Sequence, residues 1–527
     1  MGWLGAAGFA VVALAAVPAY GLAFDSHIWF PYGDAILAWL GGAGPFPLNL
    51  YLEPFEAYGS TAALAAAATS ALLAGVVDPI AGHHVLVVLC GAALVGLTAY
   101  LGALVGGPAV GLTAALLLAT APRFFFEAET NASDLPAAVA WSVALVAFAR
   151  ALETRLTVPL LVAALAAAML GAVRLTNLLF LPAVPVVWLV CSGAARRQAW
   201  ALVAGGWWRA PLAAAAMLGG FLAFRPLAWP APWASVQTLL DRLRVPPYWT
   251  SKGVADVFYD GTLLAGGPAS FHPVMLAITT PLPFLLALVP GLVALFRRQR
   301  QLAWLLVGWI AIAVGRHAFL DRGNYDGIRH VLDALPPLAV VAAAGIEAMI
   351  AATASRLAPR LRPAVWALGL AVAAAPGVVA IVRLHPYQVA YYNALVGGLS
   401  GAAGRFETEY SGVAYREALL WAARELGPDD RLWLTRDYDR RLVEQEARWL
   451  GLTGIRTWRP GGAEPATAPR RLVTMQILRP GPAERPAGAL PAAALPVVYE
   501  IRREGVTLLR AREVPPALRA QIAKAGA

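Results

Sequence analysis

The chain has 527 residues, 59% of them hydrophobic and only 14% charged, with a mean hydropathy of +0.63 and a formal net charge of +10. Soluble domains carry roughly 25% charged residues, so there are too few charges here to coat the cores a soluble chain of this length would build. That excludes an ordinary soluble protein and a disordered one, and leaves an integral membrane protein.

The charge is unevenly spread. Residues 384–527 hold 35 of the charged side chains and the first 383 residues hold 37. A membrane region over 1–383 followed by a soluble-looking domain over 384–527 is the domain organisation this predicts. Lys252 and Lys524 are the only lysines, so the positive balance is nearly all Arg, which we read as genome composition. Scattered arginines without interleaved aromatics do not argue for nucleic acid. Cys90 and Cys191 both lie in apolar runs and specify neither a disulfide framework nor a metal site.

Apolar runs long enough to cross a bilayer recur from the first residues onward. The first, roughly 4–24, lacks a basic leader and a small-residue cleavage site and reads as a retained span. Ten more fall near 83–104, 108–122, 134–151, 156–173, 176–192, 210–226, 273–296, 302–320, 331–351 and 364–382, giving eleven expected spans. The stretch 59–77 is Ala-rich with Ser and Thr, and is weakly apolar.

Charge arbitrates. With eleven spans and the N-terminus inside, Arg150 and Arg155, Arg196, Arg197 and Arg209, Arg297, Arg298 and Arg300, and Arg356, Arg360 and Arg362 all fall inside. Asp25, Asp34, Glu53, Glu56, Asp78, Glu127, Glu129 and Asp134 fall outside. A spanning 59–77 would break that pattern, so a helix lying in the outer interface is expected there. The odd count puts 384–527 outside, in the periplasm if the host membrane is a bacterial inner membrane. That domain reads as α/β. It has helices near 413–426 and 438–451, and strands near 431–436, 471–478, 497–502 and 505–510. The last two join in a hairpin at Glu504-Gly505, and loops fill 460–470 and 480–496.

The outer loops are the elaborate ones, from Asp25 to about 82 and from about 227 to 272. Asp25 follows the first span directly, ahead of His27, Trp29 and Tyr32. A carboxylate there suits a general base acting on a substrate at the interface. It would equally suit a charged span end in an aromatic belt. The stretch Pro122–Pro136 carries Arg123, Glu127, Glu129, Asn131 and Asp134. Asp134 or Ser133 could cap the following helix. Alternatively, Asp134 is a second carboxylate facing Asp25, for metal binding or for orienting the acceptor.

Arg174, Arg316-His317 and Arg329-His330 break the positive-inside pattern. Charges so placed usually have a partner or a ligand. They suit a lipid phosphate, or else pair with Asp321, Asp326 or Asp134. His83-His84 alone is a weak metal signal. No nucleotide-binding, zincin or serine-hydrolase motif is present.

At these residues the chain resembles the GT-C membrane glycosyltransferases, in particular the bacterial relatives of protein O-mannosyltransferases and of the lipid A aminoarabinose transferase, the family 39-like group. The resemblance rests on Phe24-Asp25-Ser26, Pro122–Pro136, Tyr325–His330 followed by Pro336-Pro337, His385–Gly398 leading into Arg405–Tyr410, and the stretch 270–282. It covers about residues 20–425. It implies a GT-C fold, an external site, a polyprenyl-phosphate-linked sugar donor and inversion at the anomeric carbon. Asp25 would be the base and Asp134 its partner. Arg174, Arg329, His330 and, more weakly, Arg316 would contact the donor phosphate. His27, Tyr32, Glu127, Tyr325 and Asp326 complete the expected substrate contacts. The acceptor is not specified, and a divalent metal is left open. The rival class is a transporter or flippase for a lipid-linked or anionic substrate, which would use the same arginines without chemistry.

Overall fold

In the computed structural model, which describes residues 2–47, 59–234, 237, 256–319, 324–459, 469–478 and 495–519, the chain is mostly helical. Glu53, Glu56, Lys252, Asp321, Lys524 and most of the two Pro- and Ala-rich stretches near 460–470 and 480–496 lie outside the described residues.

Among the described residues, six helices are long and apolar enough to cross a membrane. They are Gly2–Ala19, Pro79–Gly106, Asp134–Thr154, Arg300–Ala318, Arg329–Ala354 and Pro359–Leu384. Three further runs are helix pairs bent at a break: Pro108–Ala119 with Pro122–Thr130 by 70°, Leu175–Cys191 with Gly193–Ala204 by 112°, and Phe271–Thr279 with Leu282–Arg298 by 114°. Two more expected runs, Thr157–Val173 and Arg209–Ala223, are helical but only 17 and 15 residues long. At 1.5 Å per residue, these stop short of a 30 Å hydrocarbon layer unless it thins. Each expected run is thus helical, but the described residues give six spans, or nine with each bent pair counted once, rather than eleven. The stretch 59–77 forms the helix Thr61–Leu72, whose twelve residues are too short to cross.

Local chemistry sets several of these boundaries. Asp78 caps Pro79–Gly106 by accepting from the Ala81 N–H at 3.0 Å, with proline at the first helical position. Pro281 follows Thr280 at the 114° bend, and the residue before a proline avoids helical backbone. The helices Leu282–Arg298 and Leu335–Ala354 cross at two glycines. A Cβ on Gly291 would sit 1.9 Å from the Val341 carbonyl oxygen, and one on Gly345 would sit 2.1 Å from that of Ala287. Only small residues allow so close an approach.

The C-terminal segment builds a four-stranded sheet. Its strands are β3 (Arg431–Trp433), β4 (Leu472–Ile477), β5 (Val497–Arg503) and β6 (Val506–Glu513), in the order β3-β4-β6-β5. β3 and β4 are parallel and the other pairs antiparallel. The expected hairpin at Glu504-Gly505 is present, with both residues at positive φ. The helices Ala414–Glu425 and Asp437–Trp449 complete the α/β unit.

A second hairpin was not expected. Before the helix Phe271–Thr279, β1 (Asp256–Tyr259) pairs with β2 (Thr262–Ala265) around Asp260-Gly261. Asp260 binds Arg405, which ties the hairpin to the segment after the last long helix.

The C-terminal segment docks onto the helical part beside Asp25. The Phe24 N–H donates to the Ser411 carbonyl at 2.7 Å. The Arg416 guanidinium donates to Asp78 at 3.1 Å. Trp449 stacks on His83 at 5.0 Å between centroids, and His83 stacks in turn on Phe30 at 4.5 Å.

Candidate active site

A pocket of about 450 Å³ opens where the turn after the first helix, the end of Pro122–Thr130, the 326–329 turn and residues 410–411 converge. Asp25, Glu127, Asp326 and Arg329 bring charge to its wall, with Ser26, Asn131 and Ser133 as polar neighbours. A smaller void of 220 Å³ shares Trp29, Ala132 and Ser133 with it and extends towards Thr61–Leu72.

Arg329 is the hub. It donates from Nη1 to Asp25 Oδ2. The same nitrogen lies 3.7 Å from Asp134 Oδ2, and Nη2 lies 2.9 Å from Asp326 Oδ2. Its guanidinium also stands 5.4 Å over the Tyr325 ring. Arg174 pairs with the other oxygen of Asp134. Arg174 sits at the break between Thr157–Val173 and Leu175–Phe180, where its extended backbone turns the side chain out of the helical register. Two carboxylates from different turns, Asp25 and Asp134, therefore share one arginine, and Asp134 is held by two.

Asp134 is free to do this because neither it nor Ser133 caps the helix, contrary to the capping alternative. Ser133 occupies the cap position without a side-chain bond. Asn131 caps instead. Its Oδ1 accepts from the N–H groups of Ser133 at 3.2 Å and Asp134 at 2.8 Å. Its Nδ2 donates to Glu127 Oε2 at 2.7 Å and to Asp134 Oδ2 at 3.1 Å. One amide thus fixes the helix start and two site carboxylates.

The 326–329 turn needs glycine at 327. Asp326 and Gly327 both have positive φ, and a Cβ on Gly327 would lie 2.3 Å from the Tyr410 hydroxyl. Arg123, fully buried, donates to that hydroxyl at 3.0 Å and to the Tyr391 carbonyl at 3.2 Å. It clamps the wall from behind.

Burial alone would raise the Asp25 carboxyl. The adjacent Arg329, helped by His27 and Arg174, outweighs it and holds Asp25 below its ordinary value of 3.8. Burial lowers the His27 imidazole, opposed by the Phe24 carbonyl and Asp25. Glu409 is raised by burial, but Oε1 accepts from the Ser411 hydroxyl at 2.7 Å and the Gly412 N–H at 2.9 Å. Those bonds set the bend whose Ser411 carbonyl receives the Phe24 N–H.

The remaining expected residues fall into two groups. Tyr325 and Asp326 sit on Arg329, and Glu127 lines the pocket. His27 and Tyr32 do not line it. His27 packs edge-on to Tyr438 and Tyr32 packs on Trp29. His330 is buried among Tyr325, His317 and His272 and also stays off the wall. Arg316 is not brought to the site. It forms a buried pair with Asp333 at 2.6 and 3.2 Å and donates to the His330 carbonyl at 2.9 Å. The sequence offers Asp321, Asp326 and Asp134 as partners, whereas Asp333, the partner in the structure, lies one helical turn beyond His330.

Sequence reasoning gave no role to Asn131, although the Asn-x-x-Asp spacing is a local capping signal. It also passed over Tyr438, for which no local signal exists. Among the described residues, no group of three or more His, Cys, Asp or Glu side chains is placed to hold a metal ion. His83 is instead engaged with Asp34 at 3.0 Å.

No family model matches the sequence, and no curated protein does. Among solved structures the chain is similar to ArnT from Cupriavidus metallidurans bound to undecaprenyl phosphate. The TM-score is 0.51 at 14% identity, covering 96% of this chain and 97% of that one. The chain has the GT-C fold. The apo state of the same ArnT matches over the same shares with a TM-score of 0.50. The archaeal oligosaccharyltransferase AglB from Archaeoglobus fulgidus, solved with an inhibitory peptide and a dolichol-phosphate, matches at a TM-score of 0.41 and 12% identity, over 84% of this chain and 63% of that one. On a GT-C fold, the turn after the first helix, the one before Asp134–Thr154 and the 326–329 turn meet in one pocket.

Proposed function

We propose that this GT-C protein is a multi-pass membrane glycosyltransferase that moves a sugar from a polyprenyl-phosphate-linked donor onto an acceptor, inverting the anomeric carbon. The observation that carries the reading is that Arg329, on the pocket wall beside Asp25, is shared with Asp134, which lies off the wall. The likeness to an ArnT solved with undecaprenyl phosphate supports the class of donor. In the proposed orientation the N-terminus is cytoplasmic, and the pocket and residues 384–527 lie outside.

Asp25 is the base. As the acceptor oxygen bonds the anomeric carbon, its proton passes to Asp25. The bond from that carbon to the phosphate oxygen breaks, and its electron pair leaves with the lipid phosphate. Arg329 and Arg174 supply cationic donors for that developing charge. Asp134 orients both arginines while they wait, and its pairing with them loosens as phosphate enters. A carboxylate base needs to be ionised at working pH, which the arginine beside Asp25 ensures.

The test uses purified full-length protein with labelled undecaprenyl-phosphate-linked glucose, galactose, mannose and 4-amino-4-deoxyarabinose, each with and without native membrane lipids as acceptor source. Transfer or donor hydrolysis by the wild type is expected with at least one donor. Asp25→Asn is expected to lose it by roughly 100-fold or more, the usual worth of a positioned base. Lipid translocation in vesicles with no turnover of any donor would establish the transporter reading instead.

A further inference from the structure

The C-terminal segment reaches the candidate base directly. Tyr438 is the second residue of the helix Asp437–Trp449 and lies 413 positions from Asp25. Its hydroxyl contacts the Phe24 carbonyl at 3.1 Å and Asp25 Oδ1 at 3.4 Å. Its ring packs on Phe24 at 5.4 Å and edge-on to His27 at 4.7 Å. The turn that bears Asp25 is also tied to this segment through the backbone, by the Phe24 N–H on the Ser411 carbonyl. Three neighbouring residues of one turn are thus held by one tyrosine.

The two oxygens of Asp25 are not equivalent. Oδ2 is engaged by Arg329, a strong charge-assisted contact. Among the described residues, the side-chain contact at Oδ1 is the long one with the Tyr438 hydroxyl, beyond the usual O–H···O range. The oxygen best able to accept a further proton donor is therefore the one facing Tyr438. The phenol is mostly buried, and both burial and Asp25 raise it, so it stays a neutral donor.

We propose that Tyr438 is a positioning residue for Asp25, its hydroxyl standing in for the acceptor hydroxyl at Oδ1 and orienting that oxygen until the acceptor replaces it. This rests on the reading of Asp25 as the base. It makes the C-terminal segment a contributor to the site rather than a cover over it.

The test compares full-length wild type, Tyr438→Phe and Tyr415→Phe. Tyr415 is a control from the same unit, because its hydroxyl donates to Asp439 at 3.0 Å and does not touch Asp25. Thermal stabilisation by undecaprenyl phosphate checks that each variant is folded, and should be unchanged. Labelling of Asp25 by a carbodiimide, which reacts with protonated carboxyls, is followed against pH by mass spectrometry. Tyr438→Phe removes a donor to the carboxylate. Asp25 labelling should therefore rise three- to tenfold at a given pH and extend to higher pH, with Tyr415→Phe unchanged. In turnover, Tyr438→Phe should lower kcat three- to tenfold at unchanged donor KM, with the acid limb displaced upward.

Labelling identical in wild type and Tyr438→Phe overturns the proposal, as does an equal change in Tyr415→Phe. Full activity of Asp25→Asn overturns the reading of the base, and is a separate result from the labelling.

Discussion

Two arginine–aspartate clusters lie within one stretch of this chain and behave as opposites. Arg316 and Asp333 are each 2% exposed and bound face to face, and their nearest polar neighbours complete the set. Arg329 touches three carboxylates, of which Asp25 is 39% exposed. In sequence the two arginines are alike, since both break the charge pattern of the membrane and both lie beside a histidine. The number of partners and the access to a pocket separate them. A closed pair stabilises a structure and has nothing left to offer a ligand. A cation shared among several anions can change partners when another anion arrives.

That contrast can be broken or sharpened by mutation. The largest effect is expected on stability from Arg316→Met, which strands a buried Asp333 and should cost about 3–5 kcal/mol. Thermal unfolding of the purified protein should show a large drop, while undecaprenyl phosphate affinity per folded molecule stays close to wild type. Arg329→Met should do the reverse, weakening undecaprenyl phosphate binding by roughly 10- to 100-fold through loss of a charge-assisted contact of about 1.5–3 kcal/mol. If both variants lost stability equally and binding equally, the distinction between a closed pair and a shared cation would collapse.

Asn131→Ala sits between them. It removes a helix cap worth about 1 kcal/mol and frees Asp134 and Glu127 to shift. A modest fall in melting temperature should accompany a fall in kcat, and an unchanged kcat would show that the amide serves the helix alone.

The smallest expected effect is that of pH. Arg329 depresses Asp25, so the ionised base is present above the depressed value and is lost only as pH falls through it. Asp25 should therefore contribute no acid limb to kcat/KM between pH 5 and 8. A limb with its midpoint in that window that disappears in Asp25→Asn would contradict the pairing.

Much of the architecture was written locally. The apolar runs, the two C-terminal helices and the Glu504-Gly505 turn depend on residues within a few positions of one another. The bends did not show, because hydropathy sums residues without regard to direction. Pro281 was the one legible marker of the 114° break. The Asp260-Gly261 hairpin carried its own turn signal but lay in a stretch read as loop. The site was legible in its acids and bases and illegible in its pairing. Asp25 and Asp134 stood out because charge is scarce in this region, whereas the choice between Arg316 and Arg329 depended on Asp333, which lies four positions past Arg329 and faces the other arginine. Tyr438 is separated from Asp25 by 413 positions, and nothing in its own neighbourhood marks it.

The bond from the Phe24 N–H to the Ser411 carbonyl has a consequence for biosynthesis. The turn bearing Asp25 leaves the ribosome 413 residues ahead of Tyr438. At 5–20 residues per second the interval is on the order of tens of seconds. Throughout membrane insertion the aspartate is therefore present without the neighbours that orient it. Synthesis through residue 438 is then what lets this corner of the molecule assemble, and a product truncated before residue 411 would lack it.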